Sequence, residues 1–188
     1  SGSIQNTGGG AVSLVKTGTG SITLNGQNAY AGSTTISQGT LLLNFTTTPL
    51  NVRSDILPAT ALTLGSGTLN VTGQVNTTSI NAQNFSSTTL AGGATITTAG
   101  TTPAVTINLG AITRAAGTTL AVNVGTSPTG STTTTTANTG TSILGGWAVH
   151  GATVPTTWAV SAGNGTTAGA ITGLGTFLAT SAAGTTAA

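Results

Sequence analysis

The chain has 188 residues, but full charges occur only at Lys16, Arg53, Asp55 and Arg114. It contains no glutamate, no cysteine and one histidine, His150. Most catalytic and metal sites need several carboxylates, imidazoles or thiolates, so this composition excludes them and predicts a chain that is not an enzyme and has no cofactor. Nucleic-acid binding requires several cations on phosphates, and it is excluded as well.

The low charge also predicts how the surface behaves. Charged residues make up 2% of the chain, against about 25% in ordinary soluble domains. Copies of such a protein repel one another weakly, and this favours association. We therefore expect the chain to pack against copies of itself. No apolar run approaches the length of a membrane-spanning helix, so the chain is not expected to span a membrane.

From the N-terminus onward, short apolar segments alternate with polar turns. Threonine is the most frequent residue and glycine occurs 29 times, a composition that favours strands and turns over helices. Side-chain alternation with period two predicts strands over residues 13–16, 21–24, 40–44, 61–64, 68–71, 94–97, 104–109 and 119–124. Turn signals occur between them at residues 18–20, 25–26, 65–67 and 92–93.

Three leucines indicate how these strands are arranged. Leu24, Leu43 and Leu64 each lie on a predicted strand that a polar turn follows, and their numbers differ by 19 and then 21. This spacing is typical of a β-solenoid, in which each coil buries its apolar face by stacking on its neighbours. The sequence therefore predicts an all-β fold that is a parallel β-helix or β-solenoid. The alternative is a β-sandwich with a strand about every 8–12 residues.

The same register predicts the core. The side chains expected to point inwards are Val15, Ile22, Leu24, Ile36, Leu41, Leu43, Leu62, Leu64, Leu69, Val71, Ile80, Ile96, Ile107, Leu109, Leu120 and Val122.

The composition changes after about residue 126. Residues 131–136 read Ser-Thr-Thr-Thr-Thr-Thr and offer no large apolar side chain for burial. Further on, Trp147-Ala148-Val149 recurs as Trp158-Ala159-Val160, which predicts two neighbouring strands. The predicted organisation is solenoid coils over residues 1–126, a Thr-rich loop or linker over 127–141, a Trp-containing β unit over 142–180 and a tail over 181–188.

Residues 14–43 carry a pattern of glycines, apolar residues and single polar residues. Its positions are Lys16, Gly18, Gly20, Ile22, Leu24, Gly26, Asn28, Tyr30, Gly32, Thr34, Ile36, Gly39 and Leu41. This pattern strongly resembles the autotransporter-associated β-strand repeat of large bacterial surface proteins, with Ile22 in place of a leucine. The resemblance implies a right-handed parallel β-helix that is secreted and displayed outside the cell, where such repeats form stalks rather than active sites.

The few reactive side chains fit this structural interpretation. Asp55 is the only carboxylate, whereas glycosidases ordinarily use two. Arg53 and Asp55 are predicted to form a loop ion pair or a contact between subunits. His150 is predicted to lie on the surface or to be half-buried. Trp147 and Trp158 are predicted to pack in a core or interface, and contact with a glycan is the alternative for both.

The predicted function is a structural subunit or segment of an extracellular fibre, stalk or surface coat. Neither end of the chain shows a cap, so we expect an N-terminal segment to add as a strand to the next copy, head to tail. The assembly candidates are Ser3, Ile4, Gln5, Val12, Leu14 and Val15. The alternatives are an adhesin that binds glycans and, less favoured, ice binding through pairs such as Thr95 and Thr97.

Overall fold

The computed structural model describes residues 2–46, 54–74, 81–99, 104–125, 130–138, 143–152 and 155–174. Within these ranges the chain forms strands and no helix, and therefore no helix that could cross a membrane. The strands are β1 (Leu14–Lys16), β2 (Ser21–Leu24), β3 (Thr34–Asn44), β4 (Ala61–Thr72), β5 (Asn81–Asn84), β6 (Ser87–Leu90), β7 (Gly93–Ala99), β8 (Val105–Asn108), β9 (Ala111–Arg114), β10 (Thr119–Asn123), β11 (Ser131–Thr134), β12 (Ala148–Gly151), β13 (Pro155–Ser161) and β14 (Gly169–Gly173).

Parallel pairing repeats along three faces. The first face contains β1, the first halves of β3 and β4, then β6 and β9; the second contains β2, the second halves of β3 and β4, then β7, β10 and β12. The third face contains β5, β8 and β11. This architecture is a parallel β-solenoid of about four turns, so the predicted all-β solenoid is confirmed and the sandwich is not found.

Inward side chains stack into columns from coil to coil. On the second face Leu41 pairs with Leu69, Leu69 with Ile96, and Ile96 with Val122, and all four are fully buried. Side chains alternate across a strand, so one inward column implies outward neighbours on both sides. The predicted core residues that are buried are Ile36, Leu41, Leu43, Leu62, Leu64, Leu69, Val71, Ile96, Ile107, Leu109, Leu120 and Val122.

Of the predicted core positions at the N-terminal end, Val15 was wrong, whereas Ile22 and Leu24 point inwards but are incompletely buried. Val15 is 57% exposed because the inward positions of β1 are those of its neighbours Leu14 and Lys16. Ile22 does lie in register with Leu41, but it is 45% exposed because no described strand covers β2 on its other side. Leu24 is half-buried for the same reason. Ile80 lies outside the described residues.

The predicted turn at residues 65–67 is part of β4. Both β3 and β4 continue from the first face onto the second, and they stay paired there through Gln38 with Ser66 and Gly39 with Gly67. The strands predicted at 61–64 and 68–71 are therefore one long strand. We refer to this edge of the solenoid, where the first face meets the second, as the corner.

Several strands escaped prediction because polar side chains occupy their inward positions. In β5 and β6, Asn81, Gln83 and Thr88 are buried. Each is hydrogen-bonded inside the solenoid: the Thr88 hydroxyl donates to the carbonyl of Leu109 at 2.7 Å, and the Gln83 amide donates to the carbonyl of Leu57 at 3.0 Å. Their burial is tolerated because these polar groups have partners.

The Thr-rich loop predicted over 127–141 is wrong for residues 131–134, which form β11. This strand pairs in parallel with β8, and Thr132 and Thr134 are fully buried. The Thr134 hydroxyl donates to the carbonyl of Gly110 at 2.6 Å. Threonine is β-branched and therefore suits a strand even where no larger apolar residue is present.

The second and third faces are closed at the C-terminal end, although no cap was expected there. β12 extends the parallel second face, but β13 pairs antiparallel with β12, and β14 pairs antiparallel with both β13 and β11. The two tryptophan segments are neighbouring strands as predicted, with Val149 opposite Trp158. Residues 175–188, which include the predicted tail, lie outside the described ranges.

Candidate functional site

One inward column reaches both ends of the solenoid. Register pairs along the first face join Lys16 to Ile36, Ile36 to Leu64, Leu64 to Leu90, and Leu90 to Arg114. Within the described residues there is one lysine, Lys16, and one arginine, Arg114. They therefore occupy opposite ends of this column, next to the corner. Their surroundings differ.

Lys16 is buried, with 2% of its surface exposed. Its ammonium donates to the carbonyl oxygens of Thr17 at 2.7 Å, Gly18 at 2.7 Å and Gln38 at 3.1 Å. An ammonium has three donors, so all of them are used. The charge is therefore stabilised by backbone dipoles of the corner rather than by a carboxylate.

Two further polar residues of the same segment are hydrogen-bonded, and Asn28 joins neighbouring coils through these bonds. The Asn28 amide donates to the carbonyls of Gly26 and Ile56, both at 2.9 Å, and its oxygen accepts the backbone N–H of Ile4 at 2.9 Å. Tyr30 is buried and its hydroxyl is hydrogen-bonded to that of Thr34. Burial raises the pKa of Tyr30, and the hydrogen bond with Thr34 opposes this shift.

The predicted assembly segment packs on its own chain. The Ser3 hydroxyl donates to the carbonyl of Gln27 at 2.6 Å, and Gln5 forms a parallel bridge with Ala29. The carbonyl of Val12 accepts the backbone N–H of Gly32 at 2.9 Å. These residues form a partial coil over the first and third faces, and they leave the second face uncovered.

The uncovered part is β2. Ser21, Ile22 and Thr23 are exposed, and β3 is the only described strand that pairs with β2. The other edge of β2 therefore presents backbone groups that another strand can pair with.

At the other end, Arg114 is exposed at the end of β9. Its guanidinium carbon lies 5.6 Å from the centroid of the Trp147 ring, and Nη1 donates to the carbonyl of Ala115 at 3.4 Å. A groove of about 330 Å³ surrounds this pair, and it is lined by Arg114, Gly117, Thr118, Thr119, Gly146 and Trp147. We call it the Arg114 groove.

The groove forms because the corner is longer in this coil. Between β6 and β7 the corner consists of residues 91–92, whereas between β9 and β10 it consists of residues 115–118. The register on either side is unchanged, since Leu90 pairs with Arg114 and Gly93 with Thr119. The additional residues therefore project at the corner, beside Trp147.

Comparison with known protein families finds a match at the N-terminal end of the chain. Residues 14–43 match the family model of the passenger-associated-transport-repeat. This segment is therefore similar to a passenger-associated transport repeat. The resemblance drawn from its sequence pattern is thereby confirmed. No curated protein and no solved structure matches the chain.

Lys16 and Asn28 of this segment join neighbouring coils, and Tyr30 and Thr34 are hydrogen-bonded to each other within one coil. Lys16, Asn28, Tyr30 and Thr34 all use their side chains in the contacts described above. A Cβ atom at Gly39, where φ is +69°, would meet the carbonyl oxygens of Gly18 and Gly20. The repeat motif thus specifies coil stacking at the corner.

The remaining predicted side chains lie apart from the repeat. Trp158 is 47% exposed on β13, and Trp147 packs partly against the core. The Arg114 guanidinium carbon lies over the Trp147 ring, 5.6 Å from its centroid. His150 is half-buried on β12, and burial lowers its pKa.

The predicted pair of Arg53 and Asp55 is described only for Asp55, because Arg53 lies outside the described residues. The Asp55 carboxylate accepts the backbone N–H of Asn84 at 2.6 Å and the Asn84 amide at 3.1 and 3.2 Å. Asp55 thus links neighbouring coils on the third face. Among the described residues no group of three or more His, Asp or Glu side chains is placed to hold a metal ion.

The threonine pair proposed for ice binding lies on the outside of the second face. Thr95 pairs with Thr68 and Thr97 with Asn70, so polar side chains do stack there. Leu42 continues one of these columns and Ala121 the other. A threonine pair is therefore not repeated on every coil.

Sequence reasoning missed the role of Arg114. The segment Ala111–Arg114 has Ile112 as its only apolar inward residue, which is too weak a signal for a strand. For Lys16 the signal was present: it stands two residues after Leu14, which also points inwards, and alternation places both on one side of the strand.

Proposed function

We propose that this chain is a non-catalytic structural segment of a bacterial passenger, displayed outside the cell as part of a stalk, fibre or surface coat. The observation that carries the proposal is the coil stack that begins with the segment similar to a passenger-associated transport repeat. The Lys16 and Asn28 side chains of this segment make contacts between coils, which is the arrangement a stalk requires.

The reactive side chains support a role without catalysis. The Asp55 carboxylate is held by Asn84 on the third face, and His150 lies several coils further along, on β12. An acid and a base that act together must lie within hydrogen-bond reach of one substrate group. These two residues are not arranged in that way.

Neighbouring copies are proposed to add at the free edge of β2. Among the described strands the two ends of the second face differ, because β2 pairs only with β3, whereas β12 is covered by the antiparallel strand β13. β2 itself carries no charged side chain, and an exposed edge strand invites pairing with another chain. If this edge meets the far end of the next copy, repetition gives an open, head-to-tail fibre.

A pair of lysine substitutions tests this proposal. Ile22→Lys places a charge on the free edge at an exposed position, and Thr172→Lys adds the same charge on β14, also at an exposed position. By sedimentation velocity and negative-stain microscopy, the wild type and Thr172→Lys are expected to form elongated assemblies, whereas Ile22→Lys stays monomeric. Compact wild-type monomers at high concentration, or unchanged assembly of Ile22→Lys, would contradict the proposal.

A further inference from the structure

The Arg114 groove contains a positive charge without a counter-ion. The only carboxylate side chain in the sequence is Asp55, which is bound to Asn84 on the third face. Arg114 is exposed, and its hydrogen bond to Ala115 is long, at 3.4 Å. The guanidinium therefore keeps donor capacity for a ligand.

The guanidinium lies over the Trp147 ring at a cation–π distance of 5.6 Å. Stacking on an aromatic ring leaves the edge of a guanidinium open, and that edge carries the paired N–H groups that bind a carboxylate with two hydrogen bonds. Trp147 is itself fixed, because it packs against the core and its carbonyl accepts the backbone N–H of Leu120 at 2.8 Å. The arginine is thus positioned before any ligand arrives.

The rest of the groove suits a small polar ligand. Its volume of about 330 Å³ lies at the lower end of the range of small-molecule sites. Thr119 is exposed and offers a hydroxyl, and the space around the Cα atoms of Gly117 and Gly146 is open. Hydroxyl groups on a ligand would find partners here, in addition to the carboxylate contact.

We propose that the Arg114 groove binds a sugar that carries a carboxylate, such as a hexuronate unit of an acidic polysaccharide. Arg114 binds the carboxylate, Trp147 positions Arg114, and Thr119 hydrogen-bonds a ring hydroxyl. This site goes beyond the proposed structural role, because a stalk segment needs no ligand at its corner.

The test uses tryptophan fluorescence in a Trp158→Phe variant, which leaves Trp147 as the only reporter. Titration with a galacturonate trisaccharide is expected to give a saturable change that weakens with added salt. The methyl ester of the same trisaccharide has no free carboxylate and is expected to give no change. Equal binding of both compounds would overturn the proposal.

Two arginine variants identify the group that binds. Arg114→Gln removes the charge at an exposed position, and it is expected to weaken binding about tenfold or more, because hydrogen bonds to charged groups are among the stronger ones. Arg114→Lys keeps the charge without the paired donors, and its affinity is expected to lie between those of the wild type and Arg114→Gln. Unchanged affinity of a folded Arg114→Gln variant would exclude this site.

Competition with acetate distinguishes recognition of the sugar ring from recognition of the carboxylate alone. If the ring contacts contribute, acetate competes with the trisaccharide only at concentrations at least about tenfold higher. Equal competition by acetate would contradict recognition of the sugar. Isothermal titration with the unmodified chain checks that the Trp158→Phe background does not create the binding.

Discussion

Lys16 and Arg114 lie in one column of the solenoid but have opposite surroundings. Lys16 is buried and donates to three backbone carbonyls, whereas Arg114 is exposed and rests on Trp147. The difference arises in the corner: at the N-terminal end it folds around the ammonium, and at the C-terminal end it is longer and projects. The same kind of charge therefore stabilises the fold at one end and is available to a ligand at the other.

The largest effect is expected in the middle of the column that joins these ends. Leu64 is fully buried between Ile36 and Leu90, so Leu64→Ala should lower the free energy of unfolding by about 2–5 kcal/mol. The control is Val15→Ala, since Val15 is 57% exposed and should cost less than about 0.5 kcal/mol. Urea unfolding measures both. Similar losses would mean that the assigned inward register is wrong.

The second comparison uses two glycines of the corner, Gly39 near the N-terminal end of the solenoid and Gly117 near the C-terminal end. Gly39 and Gly117 both have positive φ, +69° and +78°, so replacement by alanine strains either backbone by about 1–2 kcal/mol. A Cβ at Gly39 also meets two carbonyl oxygens, whereas none of the neighbouring atoms is near a Cβ at Gly117. Gly39→Ala should therefore lower the free energy of unfolding by at least about 1 kcal/mol more than Gly117→Ala does. Equal losses in thermal and urea unfolding would argue against the tight corner around Lys16.

Replacement of the two cations by methionine compares the ends directly. Lys16→Met removes three hydrogen bonds that the buried ammonium donates to backbone carbonyls, so the free energy of unfolding should fall by about 1–3 kcal/mol. Arg114→Met removes an exposed contact with Trp147 and should cost less than about 1 kcal/mol. A larger loss for Arg114→Met than for Lys16→Met in urea titrations would reverse the roles assigned here.

The smallest effect is a pH dependence at the closed end. Burial lowers the pKa of His150 in the folded chain, so the unfolded chain binds more protons between the two pKa values. His150 therefore contributes its full stability above about pH 6.5, the unfolded value, and this contribution falls as the pH drops towards the folded pKa. Thermal unfolding at pH 7.5 and pH 5 should show a decrease that His150→Gln reduces. A decrease of equal size in the variant would assign it to other groups.

The sequence predicted the fold wherever apolar side chains alternate. Leu41, Leu43, Leu69 and Ile96 are buried as expected, because one buried face of a strand has a period of two. It failed where threonine or amides fill inward positions, as in β11, since a buried threonine and an exposed one look the same in sequence. Only the packing of neighbouring coils decides which of these side chains are buried.

The site was predictable only in part. The motif around Lys16 was recognised, but the burial of its ammonium depends on the carbonyl of Gln38, which comes from the following coil. The Arg114 groove depends on Trp147, which is distant in sequence and arrives beside Thr119 only through the pairing of β12 with β10. The local sequence pattern does not show which residues of neighbouring coils come into contact when the coils differ in length.

The most direct test of the contrast between the two ends is nitrogen-detected NMR of the side-chain N–H groups. Lys16 is the only lysine in the chain, so its ammonium gives a signal without overlap. We predict slow exchange with water for the Lys16 ammonium protons and fast exchange for the Arg114 guanidinium, assigned with the Arg114→Lys variant. A Lys16 ammonium that exchanges as fast as an exposed lysine would contradict the account.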